Sequence, residues 1–241
     1  EGEVELRQRE IEQVEDAEVR LQPDADHVRI EVVQVDAVRA ANRDVHPGRT
    51  TVLDTREIDE GQRQQIRGLI NDGAVCLIVT TKERARDFKK PPVLISGFGA
   101  RETYAPSSIA NFDMDFWHPA VSEAGRDAYE MAGVTHKDID GLMCYDNFSP
   151  TVLFSLEGLG FCGRGESGAF VEGGTLQLGG RLPTNTDGGH LSNSYMQGWA
   201  LNVEAVRQLR GECGERQVPN CNIVQYVATA PCTRSIIYTR G

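Results

Sequence analysis

The first 70 residues contain no aromatic residue, cysteine, methionine, lysine or serine, and all 16 aromatic residues of the 241-residue chain follow them. The same stretch carries 17 Asp and Glu residues and 10 Arg residues, and its short β-branched patches alternate with polar residues. A packed core without aromatic side chains would be thin. Residues 1–70 are therefore set apart from residues 71–241.

Two interpretations of residues 1–70 stay open. One is a solvated, partly ordered linker or edge region. The other is a GC-rich gene translated in a wrong frame or from the wrong strand, which would give this excess of Arg, Asp, Val, Ala and Gln without Lys or Ser. Neither interpretation assigns a function to the segment.

Long apolar runs and basic stripes are also missing. No run approaches the roughly 18 apolar residues that a membrane span needs. Residues 1–5 have neither the basic region nor the apolar region of a signal peptide. We expect no membrane span and a cytoplasmic protein. The formal net charge of −11 would repel a phosphate backbone, which argues against nucleic acid as a partner.

The cysteine and histidine patterns do not indicate a metal site. The six cysteines form no C-x-x-C pair, and the five histidines do not complete a zinc-ligand spacing. We interpret the cysteines as reduced thiols, mostly in the core, and expect no bound metal.

From Asn71 onward, strand and helix signals alternate. Residues 74–79 and 93–97 are apolar runs typical of buried strands, with a short helix between them. A longer helix is expected from about Pro119 to Ala132, where Gly133 ends the apolar periodicity. Its apolar face comprises Ala120, Val121, Ala124, Ala128 and Met131.

The next segment, residues 142–145, indicates a buried strand that runs into a polar turn. Helices at about 151–159 and 197–209 flank a glycine-rich stretch, and strands at about 222–227 and 235–238 should pair as an antiparallel hairpin. This alternation predicts an α/β architecture, in which sites lie at the carboxyl ends of strands. Tyr145 occupies such a position.

Two segments carry the candidate chemistry. The first is Tyr-Asp-Asn-Phe-Ser at 145–149, followed by Leu-Glu-Gly-Leu-Gly-Phe-Cys at 156–162, and the second runs from Asn185 to Gly198. Each alone is weakly specific, because a Gly-Gly pair is usually a tight turn and a Tyr at a strand end is usually a half-buried core residue.

In this order and spacing, the segments resemble the sterol-carrier-protein branch of the thiolase superfamily, with its pattern H-D-x-F-S, E-x-L-G-x-C, N-x-x-G-G and G-H-P-x-G. The resemblance covers about residues 71–241. It implies the C-terminal half of a thiolase-like α/β fold, a βαβαβαββ mixed sheet with helices on both faces. The candidate substrate-binding residues are Asp146, Asn185, Gly188, Gly189 and His190.

Two positions depart from this pattern in the same way. Tyr145 stands where the family has the His of H-D-x-F, and Tyr195 stands where it has the His of G-H-P. A thiolase needs the second His to activate a cysteine, because a thiol with a pKa near 8.5 is only partly ionised at neutral pH. Paired tyrosines resemble the actinobacterial steroid side-chain-cleaving aldolases, a thiolase-superfamily group that lacks the Cys–His machinery.

That resemblance implies an acyl-CoA retro-aldolase, a lyase that converts a β-hydroxy steroid side-chain CoA thioester into a ketosteroid and propionyl-CoA. No cofactor is implied beyond the CoA thioester itself. Tyr195 is the candidate base and Tyr145 the candidate acid or enolate-side donor. Amides of the Gly188-Gly189 turn are candidates to hold the thioester oxygen. His190 is a candidate helper, for which local packing is the commoner role.

The resemblance further implies a homodimer and a partner subunit, a small OB-fold protein of the acyl-CoA-associated type. Because one thiolase half is recognised, we expect a catalytic-half fragment. Two alternatives stay open: a non-catalytic acyl-CoA or sterol-binding lipid-transfer protein, and a thiolase-type acyltransferase. Replacement of both histidines by the same titratable residue argues against the first, and the lack of a cysteine before Asn71 argues against the second.

Overall fold

A six-stranded mixed sheet organises the part of the protein that the structure describes. The computed structural model describes residues 30–38, 74–102, 117–193, 196–229 and 232–241, with residues 30–38 described by their backbone. The strands are β1 (Ile30–Val38), β2 (Ala74–Thr80), β3 (Val93–Glu102), β4 (Gly141–Cys144), β5 (Ile223–Ala228) and β6 (Cys232–Arg240). They lie in the order β2-β1-β3-β6-β5-β4.

The strand directions confirm the predicted mixed sheet. β4 and β5 are parallel, whereas the other neighbouring strands are antiparallel. The β5–β6 hairpin is therefore antiparallel, as expected. β1 comes from the segment that composition sets apart, and its backbone pairs with both β2 and β3. The rest of residues 1–70 lies outside the described residues, so both interpretations of this segment stay open.

From β2 onward, the helices lie between the strands in the predicted βαβαβαββ order. They are α1 (Lys82–Ala85), α2 (His118–Ala132), α3 (Ser149–Gly158), α4 (Ser167–Val171), α5 (Gly189–Ser192) and α6 (Trp199–Arg210). α2 ends as expected at Gly133, which adopts a left-handed φ of 68°. Among these described helices, none combines the length and the apolarity that crossing a membrane requires.

Helices cover both faces of the sheet. Successive side chains of a strand point to opposite faces, and β4 divides its side chains in this way. Met143 packs with Leu201 of α6 in one core cluster. Leu142 packs with Val121 of α2 and Leu156 of α3 in a second cluster. The prediction of helices on both faces is therefore confirmed.

α2 approaches β3 closely because β3 carries glycine at the contact. A Cβ atom at Gly99 would collide with the backbone carbonyl of Ala124 on α2. Ala124 is fully buried, as its place on the predicted apolar face requires. Met131, predicted for the same face, is instead 58% exposed. The reason is that Ala132 faces β3 there, 3.0 Å from where a Cβ on Gly97 would lie.

Candidate active site

Tyr145 lies directly after β4, at the edge of the sheet where the parallel strands β4 and β5 end. Its backbone N–H donates to the carbonyl of Val227 at 2.8 Å, which extends the parallel pairing one residue beyond β4. The hydroxyl of Thr151 in α3 donates to the Tyr145 carbonyl at 2.9 Å. The predicted position of Tyr145 at a strand carboxyl end is thus confirmed, and its backbone is held by both β5 and α3.

Asn185 fixes the end of β4 from the other side. Its side-chain oxygen accepts from the Cys144 backbone N–H at 2.7 Å, and its side-chain nitrogen donates to the Cys144 carbonyl at 2.8 Å. The backbone N–H of Asn185 also donates to Leu142, at 2.9 Å. The amide therefore acts like a neighbouring strand residue. A direct contact between Asn185 and substrate stays a prediction.

Asp146 and His190 form a buried pair behind Tyr145, with relative exposures of 4% and 2%. Asp146 Oδ1 lies 2.8 Å from His190 Nδ1 and accepts a second hydrogen bond, also 2.8 Å, from the His190 backbone N–H. The imidazole packs edge-on against the Tyr145 ring, with centroids 4.5 Å apart and planes at 67°. Asp146 and His190, two of the candidate substrate-binding residues, thus lie beside Tyr145, and their contact with substrate stays a prediction.

The Gly188-Gly189 turn lets the chain pass close to Asp146. Gly189 has a left-handed φ of 62°, and an added Cβ would lie 2.7 Å from Asp146 Oδ1 and 2.8 Å from Asn185 Nδ2. Both amides already have partners, since Gly188 N–H donates to the Asn185 carbonyl and Gly189 N–H to Asp187 Oδ1. Donation of these N–H groups to a thioester oxygen would require these bonds to break, and it stays a prediction.

Gly198 closes the second sequence segment and completes the surroundings of Tyr145, although it was not among the candidate site residues. Its N–H donates to His190 Nε2 at 2.8 Å. An added Cβ would lie 2.9 Å from Cδ2 of Tyr145, so the tyrosine ring packs directly on glycine backbone. Beside Gly198, the Gln197 side-chain oxygen lies 3.5 Å from the Tyr145 hydroxyl, which is long for a hydrogen bond between oxygens.

Tyr195, the second predicted catalytic residue, lies outside the described residues. The described chain reaches Asn193 on one side of it and resumes at Met196 on the other. The structure thus brings Tyr145, Asp146 and His190 together with the turn before Tyr195, and the place of the Tyr195 side chain stays a prediction.

Asp187, inside the same turn, is a further polar residue that the sequence did not single out. Its carboxylate accepts from Gly189 N–H at 3.0 Å and from Asn193 Nδ2 at 3.0 Å, so it holds both ends of α5. Burial, and next the nearby Glu204 carboxylate, raise the pKa of Asp187 to about 6. Glu204 itself is buried and forms an ion pair with Arg216 at 3.1 Å.

The cysteine closest in sequence to Tyr145 is unsuited to nucleophilic catalysis. Cys144 is fully buried and its Sγ lies 3.2 Å from Ser155 Oγ. Burial raises the pKa of this thiol to about 12, and a protonated thiol is a poor nucleophile. All six cysteines are free, and Cys144, Cys213 and Cys221 are buried.

Two polar atoms beside Tyr145 lack a partner. Asn147 Oδ1 and Ser149 Oγ are buried and make no hydrogen bond within the described part of the chain. Buried polar atoms are normally paired with protein groups or ordered water, so these two atoms are exceptions among the described residues. Across the described ranges, no group of three His, Cys, Asp or Glu side chains is arranged to hold a metal ion.

Comparison with known proteins identifies the family. The family described as "Thiolase C-terminal domain-like" matches residues 105–233, which is more than half of the chain. The chain belongs to the thiolase C-terminal domain-like family. The fold of this thiolase-like chain is therefore the one that the sequence predicted.

Relatives of this thiolase-like chain include one protein named as a lyase and one named as an aldolase. It is 41% identical over 143 residues to the 17-hydroxy-3-oxo-4-pregnene-20-carboxyl-CoA lyase of Mycobacterium tuberculosis. The matched region covers 58% of this chain and 37% of that protein. It is 36% identical over 169 residues to the steroid side-chain-cleaving aldolase of Thermomonospora curvata, covering 69% of this chain and 43% of that protein.

A solved structure is also similar to the thiolase-like chain. The structure described as "Ltp2-ChsH2(DUF35) aldolase" matches with a TM-score of 0.67 and 33% sequence identity, covering 78% of this chain and 50% of that one. The chain thus spans half or less of the length of these three relatives.

Proposed function

We propose that the protein is an acyl-CoA retro-aldolase that cleaves a β-hydroxy steroid side-chain CoA thioester to a ketosteroid and propionyl-CoA. The observation that carries the proposal is the placement of Tyr145: a phenol lies at the carboxyl end of β4, packed against His190 and Gly198. The likeness to two enzymes named as a lyase and an aldolase supports the same chemistry.

The reaction needs proton transfer but no covalent intermediate. A base removes the proton of the β-hydroxyl, the carbon–oxygen bond becomes a ketone, and the Cα–Cβ bond breaks. Its electron pair passes to Cα as a thioester enolate, which an acid protonates to give propionyl-CoA. We assign the base to Tyr195 and the acid or enolate-side donor to Tyr145. A free phenol has a pKa near 10, so Tyr145 can donate in its neutral form. Tyr195 accepts the proton as a phenolate, a form that a neighbouring positive charge or hydrogen-bond donor would have to favour.

Acyl transfer through a cysteine is disfavoured by the surroundings of the described thiols. The thiol next to Tyr145, that of Cys144, has no exposed surface and a pKa raised to about 12 by burial. Cys232 is exposed at the start of β6 but lies in a segment without the C-x-G motif of thiolases. Retro-aldol cleavage requires neither.

The proposal includes the assembly in which the reaction occurs. The half-length coverage of the relatives supports an active site completed by further protein. The similar solved structure is described as an aldolase of two named components, Ltp2 and ChsH2, which supports a partner subunit. We assign that subunit to the small OB-fold acyl-CoA-associated type. A homodimer and a cytoplasmic location stay predictions from the sequence.

Product analysis tests the proposed reaction. The full-length protein, with and without its partner subunit, is incubated with the CoA thioester of a 17-hydroxy steroid side chain, and products are identified by mass spectrometry. We expect equal amounts of propionyl-CoA and a 17-ketosteroid. The matched control is the thioester without the 17-hydroxyl, which should not be cleaved because no proton can be removed there. Binding of both thioesters without cleavage of either would reject the proposal in favour of an acyl-CoA-binding protein.

A further inference from the structure

Both ring nitrogens of His190 are used inside the protein, and their partners determine the tautomer. A backbone N–H can only donate, so His190 Nε2, at 2.8 Å from the Gly198 nitrogen, must present its lone pair. The ring proton of the neutral imidazole therefore lies on Nδ1 and is donated to Asp146 Oδ1, also at 2.8 Å. In this arrangement neither nitrogen offers a lone pair to a substrate.

The same two bonds determine what His190 holds in place. Its own backbone N–H also donates to Asp146 Oδ1, so the carboxylate anchors both the main chain and the ring of His190. The backbone of Gly198, which bonds to the Nε2 side of the ring, is held at two atoms. Its N–H donates to His190, and its carbonyl accepts from Asn202 Nδ2 at 2.8 Å. The hydroxyl of Tyr238 donates to the Asn202 side-chain oxygen at 2.7 Å.

Tyr145 packs against both His190 and Gly198, the two residues that the Nε2 hydrogen bond joins. The His190 ring meets the tyrosine ring edge-on at 4.5 Å between centroids. The Gly198 backbone meets it at the Cδ2 and Cε2 atoms. The bond between His190 and Gly198 also ties together the two ends of residues 191–197, the segment whose sequence contains Tyr195. One imidazole thus packs against Tyr145 and is bonded to the glycine that the Tyr145 ring also meets.

We propose that His190, as a neutral imidazole with its proton on Nδ1, is a positioning residue for Tyr145 of the retro-aldolase and not a base or a substrate ligand. The inference rests on the proposed function for the role of Tyr145. Its structural part, the tautomer and the bond to Gly198, stands independently of the reaction.

The tautomer can be read directly from the protein. In protein labelled with ¹⁵N in histidine, the Nδ1 resonance of His190 should lie in the protonated range and the Nε2 resonance in the unprotonated range. The resonance is assigned by its absence from the His190→Gln spectrum. A proton on Nε2 would be incompatible with the Gly198 bond and would overturn the inference, whether or not the protein cleaves any substrate.

Three variants separate positioning from packing and catalysis. His190→Leu removes both ring bonds, His190→Gln keeps an acceptor near the position of Nε2, and His190→Asn keeps a donor near that of Nδ1. Misplacing a reacting group by about 1 Å can cost about 10²-fold in rate. We therefore expect kcat of the Leu variant to fall about 10- to 100-fold with KM within about threefold. Gln should recover more activity than Asn, because it restores the Gly198 bond.

Three results would each overturn the inference. They are full activity of His190→Leu, equal losses in the Gln and Leu variants at equal thermal stability, and a rise in KM with unchanged kcat. If the parent protein itself shows no turnover, the proposed function fails, and the tautomer measurement still decides the structural part. The same measurement decides it if the Leu variant does not fold.

Discussion

Replacing Gly189 with alanine should destabilise the protein through a contact that only the three-dimensional structure reveals. The residue has a φ of 62°, and its new Cβ would lie 2.7 Å from Asp146 Oδ1 and 2.8 Å from Asn185 Nδ2. These are the two side chains that hold His190 and the end of β4. The methyl group can be accommodated only if at least one of them moves.

The size of the effect can be worked out from its two parts. A non-glycine residue in the left-handed region costs about 1–2 kcal/mol. Loss of one hydrogen bond that leaves a buried partner unsatisfied costs about 1–3 kcal/mol more. We therefore expect the free energy of unfolding of Gly189→Ala to fall by about 2–5 kcal/mol.

Gly133→Ala is the matched control, because Gly133 has a φ of 68° and no atom within 4 Å of an added Cβ. It should show the backbone part alone, about 1–2 kcal/mol. Urea unfolding of the two variants and the parent, followed by circular dichroism, gives both differences. In a domain of this size, each 1 kcal/mol corresponds to about 2–4 °C in Tm. Equal losses in the two variants would refute the predicted collision with Asp146 and Asn185.

Two further predictions concern titrating groups. The pKa of Asp187 is raised to about 6 in the folded protein, above its value in the unfolded chain. The folded state therefore binds more protons than the unfolded state between about pH 4 and 6. The free energy of unfolding should fall as pH rises through that window. Urea unfolding from pH 4 to 7 should show a smaller fall in Asp187→Asn than in the parent, and identical pH profiles would contradict the assignment. Because Cys144 is fully buried with a pKa raised to about 12 by burial, a thiol reagent at neutral pH should label the exposed Cys76 and Cys232 in the native protein and Cys144 only after unfolding. Peptide mapping that finds rapid native labelling of Cys144 would show that the thiol is accessible.

The architecture and the place of Tyr145 followed from local sequence signals. Alternating strand and helix patterns gave the α/β order, and Gly133 marked the end of α2 because glycine adopts a left-handed helix cap without strain. The apolar run before Tyr145 predicted β4, which ends one residue earlier, at Cys144. Such features depend on neighbours within a few residues and can be recognised from one sequence.

The details that fix the site could not be predicted in this way. α6 begins at Trp199 and not near 197, because Gln197 and Gly198 have φ values of 51° and 85°, which do not fit a right-handed helix. His190 pairs with Asp146 of the other segment and also with Gly198, eight residues further along its own segment. No local sequence pattern indicates that the Asn185 side-chain amide bonds to the Cys144 backbone as a neighbouring strand would. Tyr195 owes its predicted role to family resemblance alone.

The most direct test of the proposed function is propionyl-CoA release by Tyr145→Phe and Tyr195→Phe in the full-length protein, measured beside the affinity for the CoA thioester. Phenylalanine removes the hydroxyl and retains the ring that packs against His190 and Gly198 in the case of Tyr145. General acid–base groups typically contribute about 10²–10⁴-fold. We expect a loss in that range for each variant with nearly unchanged affinity, and a combined loss smaller than the product of the two. Turnover of both variants within about threefold of the parent would contradict the account, because a general acid or base contributes far more than that.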